Sequence, residues 1–342
     1  MNELLGNTPM VEIKNVFGGA NAKIYAKLEY YNPTFSIKDR AAYNMVSNAI
    51  KSGKIKKGDT IIEATSGNTG LGLCYAATKF GLNIICTVFD DVPVEKIGLL
   101  KAFGAKVIIC PSKYESSGEN GYVGVAKMLS EQISNSFYVE QFNNEDNRNA
   151  HYLYTGPEIF NQLEGKIDYF FATIGTGGTI SGVGKYLKEK NRNIKVIGVE
   201  PIGGIYKDFF YNREMHYVDH LIQSISDDFV SPNFIKDYVD DVIQVADVSS
   251  FKMCYEILQK EGLCVGTSSG CVMAAIREYM KEKECENKNI VCVFPDNGLK
   301  YMDTLFNEEY LNEKKLLFEK EKNENKCLLS ILKDNNLDVT IA

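Results

Sequence analysis

Histidine is scarce in this 342-residue chain. Its three copies, His151, His216 and His220, form neither an HExxH pair nor a cluster at metal-ligand spacing. The nine cysteines include no CxxC pair, and several lie inside apolar stretches such as NIICTVF, KVIIC and NIVCVF, where a reduced thiol serves as a small core residue. No metal ion is expected, and a histidine-centred mechanism has little to stand on. Basic runs are equally short: none is longer than KIKKG, and the net charge is −7, a poor match for nucleic acid. No apolar run reaches the length that crosses a bilayer, and the opening MNELLGNTPM has neither the basic start nor the apolar centre of an export signal. A soluble, cytoplasmic protein without a membrane or nucleic-acid partner is expected.

What is present is an alternation of short β-branched runs with helix-length amphipathic segments. DTIIEA (59–64) leads through TSGNTG into LGLCYAATKFG; NIICTVF, KVIIC, DYFFATI, IKVIGVEP, DVIQV and NIVCVFP follow, with helical stretches between them. Such βαβ alternation predicts an α/β protein whose mainly parallel sheets are covered by helices on both faces. At this length two closely joined, doubly wound domains are expected. Ligands of such sheets sit at the carboxyl ends of the strands, where TSGNTG and GTGGT both fall.

GTGGT, Gly175 to Thr179, stands between DYFFATI and the helix-like SGVGKYLKEK. Successive glycines let main-chain N–H groups converge on an anion, and the positive end of the following helix adds to the attraction, so the loop reads as a phosphate cup. The GxGxxG spacing of a dinucleotide fingerprint and the GK[ST] of a Walker loop are both missing. The phosphate is therefore expected on a cofactor that brings its own chemistry. Lys38, between Ile37 and the charged pair Asp39 and Arg40 in NPTFSIKDR, is a lysine in an apolar-flanked loop. Combined with a phosphate cup it suggests covalent attachment of pyridoxal 5′-phosphate.

The ordered set GNTP (6–9), NPTFSIKDR (32–40), EATSGNTG (63–70), TGPEI (155–159), GTGGT (175–179), GTSSG (266–270) and PDNG (295–298) resembles the fold-type II pyridoxal phosphate enzymes, the tryptophan synthase β-like fold. Within them it is similar to the family of cysteine synthases and cystathionine β-synthases, over nearly all of residues 1–312. The resemblance implies that Lys38 is the Schiff-base lysine and later the base at the substrate α-proton, and that Gly175, Thr176, Gly177, Gly178 and Thr179 hold the phosphate. It implies that Asn68 bonds the cofactor's 3′-oxygen, that Ser268 faces the pyridine nitrogen, and that Thr65, Ser66, Thr69 and Gln141 hold the substrate carboxylate. A hydroxyl at Ser268 cannot keep the pyridine nitrogen protonated as an aspartate would, which favours loss of a β-substituent over transamination. The implied reaction is β-replacement or β-elimination on cysteine- or serine-type amino acids through an electrophilic α-aminoacrylate. The resemblance also implies a homodimer and a smaller mobile domain over 40–145, with 1–39 plus 146–312 as the larger domain and 313–342 as an extension. Within that extension, the apolar CLLSIL after a charged stretch is expected to dock rather than fray.

Two departures narrow the choice. Where cysteine synthases usually carry a loop like MPETMS this chain has FDDVPVEK (89–96), and where they show GIGAGF it has SISDDF (224–229). KYESSGENGYVGVAKML (113–129) and PDNGLKYMDTLFNEEYL (295–311) look more like cystathionine β-synthase cores, without their haem-binding extension or regulatory domain. Asp227 aligns with a position facing the β-carbon of the bound amino acid, where a carboxylate could activate water. The favoured expectation is L-cysteine plus water to L-serine plus hydrogen sulfide. Cysteine synthase or a cystathionine β-synthase-like condensation is the alternative. A catalytically silent cofactor-binding partner would have lost the lysine or the carboxylate loop, and both are present.

Overall fold

The apolar runs become strands because each is short, β-branched and bounded by turn residues, and the segments between them are long enough for crossover helices. In the computed structural model, which describes residues 3–18, 21–65 and 67–316, the chain runs as follows. Strands β1 (Met10–Ile13) and β2 (Lys23–Leu28) precede helix α1 (Lys38–Lys51). Then come β3 (Thr60–Ala64), α2 (Asn68–Phe80), β4 (Asn83–Phe89), α3 (Val94–Ala102), β5 (Lys106–Cys110), α4 (Tyr122–Gln132) and β6 (Ser136–Tyr138). Helices α5 (Glu145–Ala150) and α6 (Gly156–Gln162) lead into β7 (Tyr169–Thr173), α7 (Gly178–Lys190), β8 (Lys195–Pro201), α8 (Tyr206–Phe210), β9 (Asp241–Val245), α9 (Asp247–Glu261), α10 (Thr267–Glu282) and β10 (Asn289–Phe294). Residues Met1–Lys300 form one compact unit and Tyr301–Ala342 a second. The second contains α11 (Glu308–Glu313), capped by Asn307, whose Oδ1 accepts from the Tyr310 N–H at 3.1 Å. CLLSIL and Ser66 lie outside the described residues.

Two sheets divide the strands. One has the order β5-β4-β3-β6 and is parallel throughout; the other has the order β1-β2-β10-β7-β8-β9 and is parallel except for the β1–β2 pair. The first draws only on residues 60–138, the second on both ends of the 10–294 range. β1, β2 and β6 were not read from the sequence. β6 has three residues, and Lys27 and Glu29, charged but buried, interrupt the apolar pattern around β2. Cys86, Cys110 and Cys292, in the three apolar stretches noted above, are buried free thiols. Among the described residues no helix is long and apolar enough to cross a membrane.

The buried charges near β2 form a network. Arg40 donates from Nε to Glu29 Oε2 (2.6 Å) and from Nη2 to Glu29 Oε1 (2.8 Å), and its Nη1 and Nη2 reach the two oxygens of Glu158, both at 2.7 Å. Lys27 Nζ donates to Glu158 Oε2 (2.8 Å), Gln162 Oε1 (2.9 Å) and the Thr8 carbonyl (2.7 Å). Thr8 Oγ1 completes the set by donating to Glu29 Oε1 at 2.7 Å. The neighbouring cations hold Glu158 down to about 2 against the opposing effect of burial. The network joins GNTP, β2, α1 and α6, and it fixes the first turn of α1. Arg40→Met should strand Glu29 without its partner in the interior. The expected cost is about 3–5 kcal/mol, read as a lower urea midpoint at unchanged slope.

Candidate active site

Lys38 is the first residue of α1 and lies half-buried, with no hydrogen-bond partner for its Nζ among the described residues. Burial pulls its pKa down, while Asp227, Asp296 and Glu63 pull the other way. An amine so placed is more readily neutral, hence nucleophilic. The turn before it is held by Asp39, which accepts from the Thr34 N–H (2.6 Å) and from Thr34 Oγ1. Helix α2 passes directly over this turn: a Cβ on Gly72 would lie 3.0 Å from the Lys38 carbonyl oxygen. Glycine there lets the TSGNTG loop reach Lys38's surroundings.

Asn68 opens α2 and is bound at both ends of its amide. Its Nδ2 donates to Asp296 Oδ2 (2.7 Å), and its Oδ1 accepts from Lys300 Nζ (2.5 Å). Lys300 also donates to the Thr34 carbonyl at 2.8 Å. Thr69 Oγ1 donates to Gln141 Oε1 at 2.6 Å, so these two expected carboxylate-binding residues are neighbours, and Thr65 is buried at the start of the same loop. Ser66 is outside the described residues.

The GTGGT loop leaves β7 and opens α7 through Gly177, whose φ is +76°. The amides of Gly175, Thr176 and Gly177 have no acceptor among the described residues. The loop is braced from behind. Asn147 Nδ2 donates to Thr176 Oγ1 (3.0 Å), Thr179 Oγ1 meets His151 Nε2 (3.3 Å), and the Tyr206 hydroxyl donates to the Gly175 carbonyl (2.8 Å). A Cβ on Gly178 would strike Asn147 Oδ1 at 2.3 Å, and one on Gly175 the Ser224 carbonyl at 2.6 Å, so neither glycine is replaceable without moving its brace. His151 sits in a π-helical turn, His151–Thr155, between α5 and α6, a local irregularity that turns its ring toward Thr179. Burial, then Arg40 and Lys38, bring its pKa down to about 3, so it braces the loop as a neutral ring.

SISDDF explains its own departure from the family motif. Ser224 and Ser226 have φ of +65° and +52°, the left-handed conformation that the glycines of GIGAGF adopt without strain. Ser226 offsets that cost with its side chain: Oγ donates to the buried Glu200 Oε2 at 2.9 Å, and its N–H to the Ile174 carbonyl at 2.8 Å. Asp227 follows, half-buried and within electrostatic range of Lys38. Burial raises its pKa; Lys38 opposes the rise, Asp228 adds to it and His220 opposes it. The loop is also tied to α3, because Lys96 Nζ donates to Gln223 Oε1 at 2.6 Å. Ser268, in the first turn of α10, is buried, and the start of its helix is bound to the end of β10 by the Gly266 N–H to the Asp296 carbonyl (3.2 Å).

The structure thus brings Lys38 within electrostatic range of Asp227 and of Asp296, the partner of Asn68, sets the GTGGT loop against Ser224, and pairs Thr69 with Gln141. Among the described residues no hydrogen bond joins Ser268 to the other expected residues. Asn147, His151, Tyr206, Lys96 and Lys300 were not singled out in the sequence. Lys96 closes FDDVPVEK and Lys300 lies within PDNGLKYMDTLFNEEYL, both quoted above, but neither residue carried a signal of its own. The pieces fit pyridoxal phosphate: an unpartnered amine, a loop of free amides at the start of a thirteen-residue helix, and a buried hydroxyl on a separate helix.

Glu63, near the end of β3, is fully buried; Oε1 accepts from the Gln141 N–H at 3.5 Å, and Oε2 has no partner among the described residues. Burial pushes its pKa up to about 8. The folded state therefore prefers the protonated acid. Stability from this group is complete below the ordinary value of 4.5 and is lost as pH rises through about 8. Glu63→Gln, which is neutral at every pH, should flatten the fall in urea midpoint between pH 5 and 8; an unchanged slope with pH would show that Glu63 does not titrate there.

Fold and site together define a fold-type II pyridoxal phosphate enzyme. A family profile described as pyridoxal-phosphate dependent enzyme matches residues 1–296, and the chain belongs to that family. It is 39% identical over 302 residues to the O-acetylserine dependent cystathionine beta-synthase of Bacillus subtilis (strain 168), covering 88% of this chain and 95% of that one. To the cysteine synthase of Staphylococcus aureus (strain Mu50 / ATCC 700699) it is 37% identical over 305 residues, with 89% and 95% covered. The crystal structure of a hydrogen sulfide-producing enzyme from Fusobacterium nucleatum superposes with a TM-score of 0.80 at 35% identity, over 87% of this chain and 96% of that one. The protein is therefore a pyridoxal phosphate enzyme of the cysteine synthase and cystathionine β-synthase kind.

Proposed function

We propose that the protein converts L-cysteine and water to L-serine and hydrogen sulfide, with Asp227 as the base that activates water. The observation that carries this reading is the position of Asp227. It is a half-buried carboxylate with a raised pKa, in electrostatic contact with Lys38, on a loop whose backbone is held left-handed by Ser224 and Ser226. The resemblance in fold to a hydrogen sulfide-producing enzyme supports it.

Pyridoxal phosphate, when bound, supplies an electron sink that labilises the α-proton and the β-substituent of an amino acid. Lys38 would hold the cofactor through Nζ and, as a free amine, would take the substrate's α-proton. The amides of Gly175, Thr176 and Gly177, with Gly178 and Thr179, would receive the phosphate, while Ser268 would offer a hydroxyl to the ring nitrogen. Thr65, Ser66, Thr69 and Gln141 bind the substrate carboxylate, which fixes Cβ beside Asp227. With the Cβ–S bond broken and sulfide leaving as HS⁻, Asp227 would take a proton from water as the water oxygen bonds to Cβ. Lys38 would return the α-proton to Cα to give serine, and the proton on Asp227 would leave with the sulfide as hydrogen sulfide. A raised pKa makes the Asp227 carboxylate a stronger base for that step.

Residues 40–145 act as the smaller domain in this reading, closing on the carboxylate and excluding bulk water. A cytoplasmic homodimer is proposed as the working form, to be checked by light scattering. The names of the bacterial relatives favour one second reading, in which O-acetylserine is the substrate and sulfide or another thiol the nucleophile.

Loaded protein should be yellow, and Lys38→Ala should abolish the visible band. A colourless wild type would sink the assignment of Lys38. Asp227→Asn keeps the size of the side chain but cannot take a proton. Serine formation from cysteine should slow about a hundredfold or more while first-turnover sulfide release survives. Serine made at the wild-type rate, or cysteine made from O-acetylserine far faster than serine from cysteine in the wild type, would replace this reading with the second one.

A further inference from the structure

Neither the amine nor the phosphate cup requires the two charges that grip Asn68. Its amide is held between an ammonium and a carboxylate: Lys300 Nζ at 2.5 Å from Oδ1, and Asp296 Oδ2 at 2.7 Å from Nδ2. Turning the amide over would set NH2 against the ammonium and C=O against the carboxylate, unfavourable at both ends. Charge therefore dictates the orientation of this side chain. Lys300 is itself held, by the Thr34 carbonyl at 2.8 Å, on the turn that Asp39 fixes just before Lys38. After both bonds are made, Asn68 retains one N–H and no further role for its carbonyl in this geometry.

We propose that Lys300 is a positioning residue that locks Asn68 as a hydrogen-bond donor toward the cofactor's 3′-oxygen, and so keeps that oxygen ionised. This rests on the reading of Asn68 as the neighbour of that oxygen. A locked donor favours the anionic form of the oxygen, and the Lys300 charge behind the amide polarises the same N–H. Without Lys300 only Asp296 opposes a turn of the amide, so the carbonyl is presented more often, which favours the protonated oxygen. The two forms of the bound cofactor differ in colour: the ionised oxygen absorbs in the visible, the protonated one in the near ultraviolet.

The test is to load wild type, Lys300→Met, Lys300→Arg, Lys300→Gln, Asn68→Ala and the Lys300→Met/Asn68→Ala double variant with pyridoxal 5′-phosphate. The ratio of visible to near-ultraviolet absorbance is then recorded across pH, and cofactor affinity is measured by equilibrium dialysis. Lys300→Met should lower the ratio at neutral pH by about threefold or more and weaken retention about tenfold, the scale of one charged hydrogen bond. Lys300→Arg should restore most of the ratio, and Lys300→Gln, a donor without charge, should fall between. In the Asn68→Ala background Lys300→Met should add little, because the amide it orients is gone. A wild-type ratio in both Lys300→Met and Lys300→Gln, or an equal drop with and without Asn68, overturns the proposal. If Lys300→Met does not fold, Lys300→Gln decides in the same way. A wild-type protein with no visible band at any pH would instead fail the cofactor assignment of Lys38, and the proposal with it. A normal wild-type band with no effect of Asn68→Ala would fail only the role given to Asn68 and Lys300.

Discussion

The buried guanidinium of Arg40 is the constraint on which the placement of the site depends. It stands two residues past Lys38, and through Glu29 and Glu158 it binds together β2, the first turn of α1 and α6. A buried charge survives only when its partners are in place, so the geometry tolerates little slippage. The consequence reaches Lys38, which opens the same first turn of α1. The price of this arrangement is local: several ionised groups removed from water, each useful only while the others are present.

The site uses the same device at three further points, where a polar side chain sets another polar group rather than touching a ligand itself. Asn147 and Tyr206 set the GTGGT loop, Glu200 sets Ser226 and with it the loop bearing Asp227, and Lys300 sets Asn68. All of them lie on elements distant in sequence from what they set. The site is therefore braced from behind, and the amides of Gly175, Thr176 and Gly177 are left without an acceptor among the described residues.

That arrangement also explains what could be read from the sequence. The parallel sheets were legible because buried parallel strands are nearly continuous apolar runs, as in NIVCVF and DYFFATI. GTGGT and TSGNTG were legible because glycine marks close approach of the backbone, and Lys38 because of its apolar neighbour. The short β6, and β2 with its buried Lys27, carry no such pattern. Nor do the bracing residues: an asparagine at 147 or a lysine at 300 looks like any surface residue until the fold brings its partner within 3 Å or so of it. The serines at 224 and 226 were noticed only as a departure from the family motif; the left-handed backbone at both positions gives that departure its physical meaning.

The strand order has a consequence for how the molecule comes into being. β10, residues 289–294, lies between β2, residues 23–28, and β7, residues 169–173. On a chain emerging from the ribosome, the amino-terminal hairpin must wait with one edge bare until nearly three hundred residues have been made. The Asp296 and Lys300 partners of Asn68 emerge later still. The all-parallel sheet of residues 60–138 has all its strands long before, so it can form while the other sheet still lacks a central strand. A nascent chain stalled before β10 thus leaves the facing edges of β2 and β7 unpaired, the kind of edge through which sheets associate wrongly.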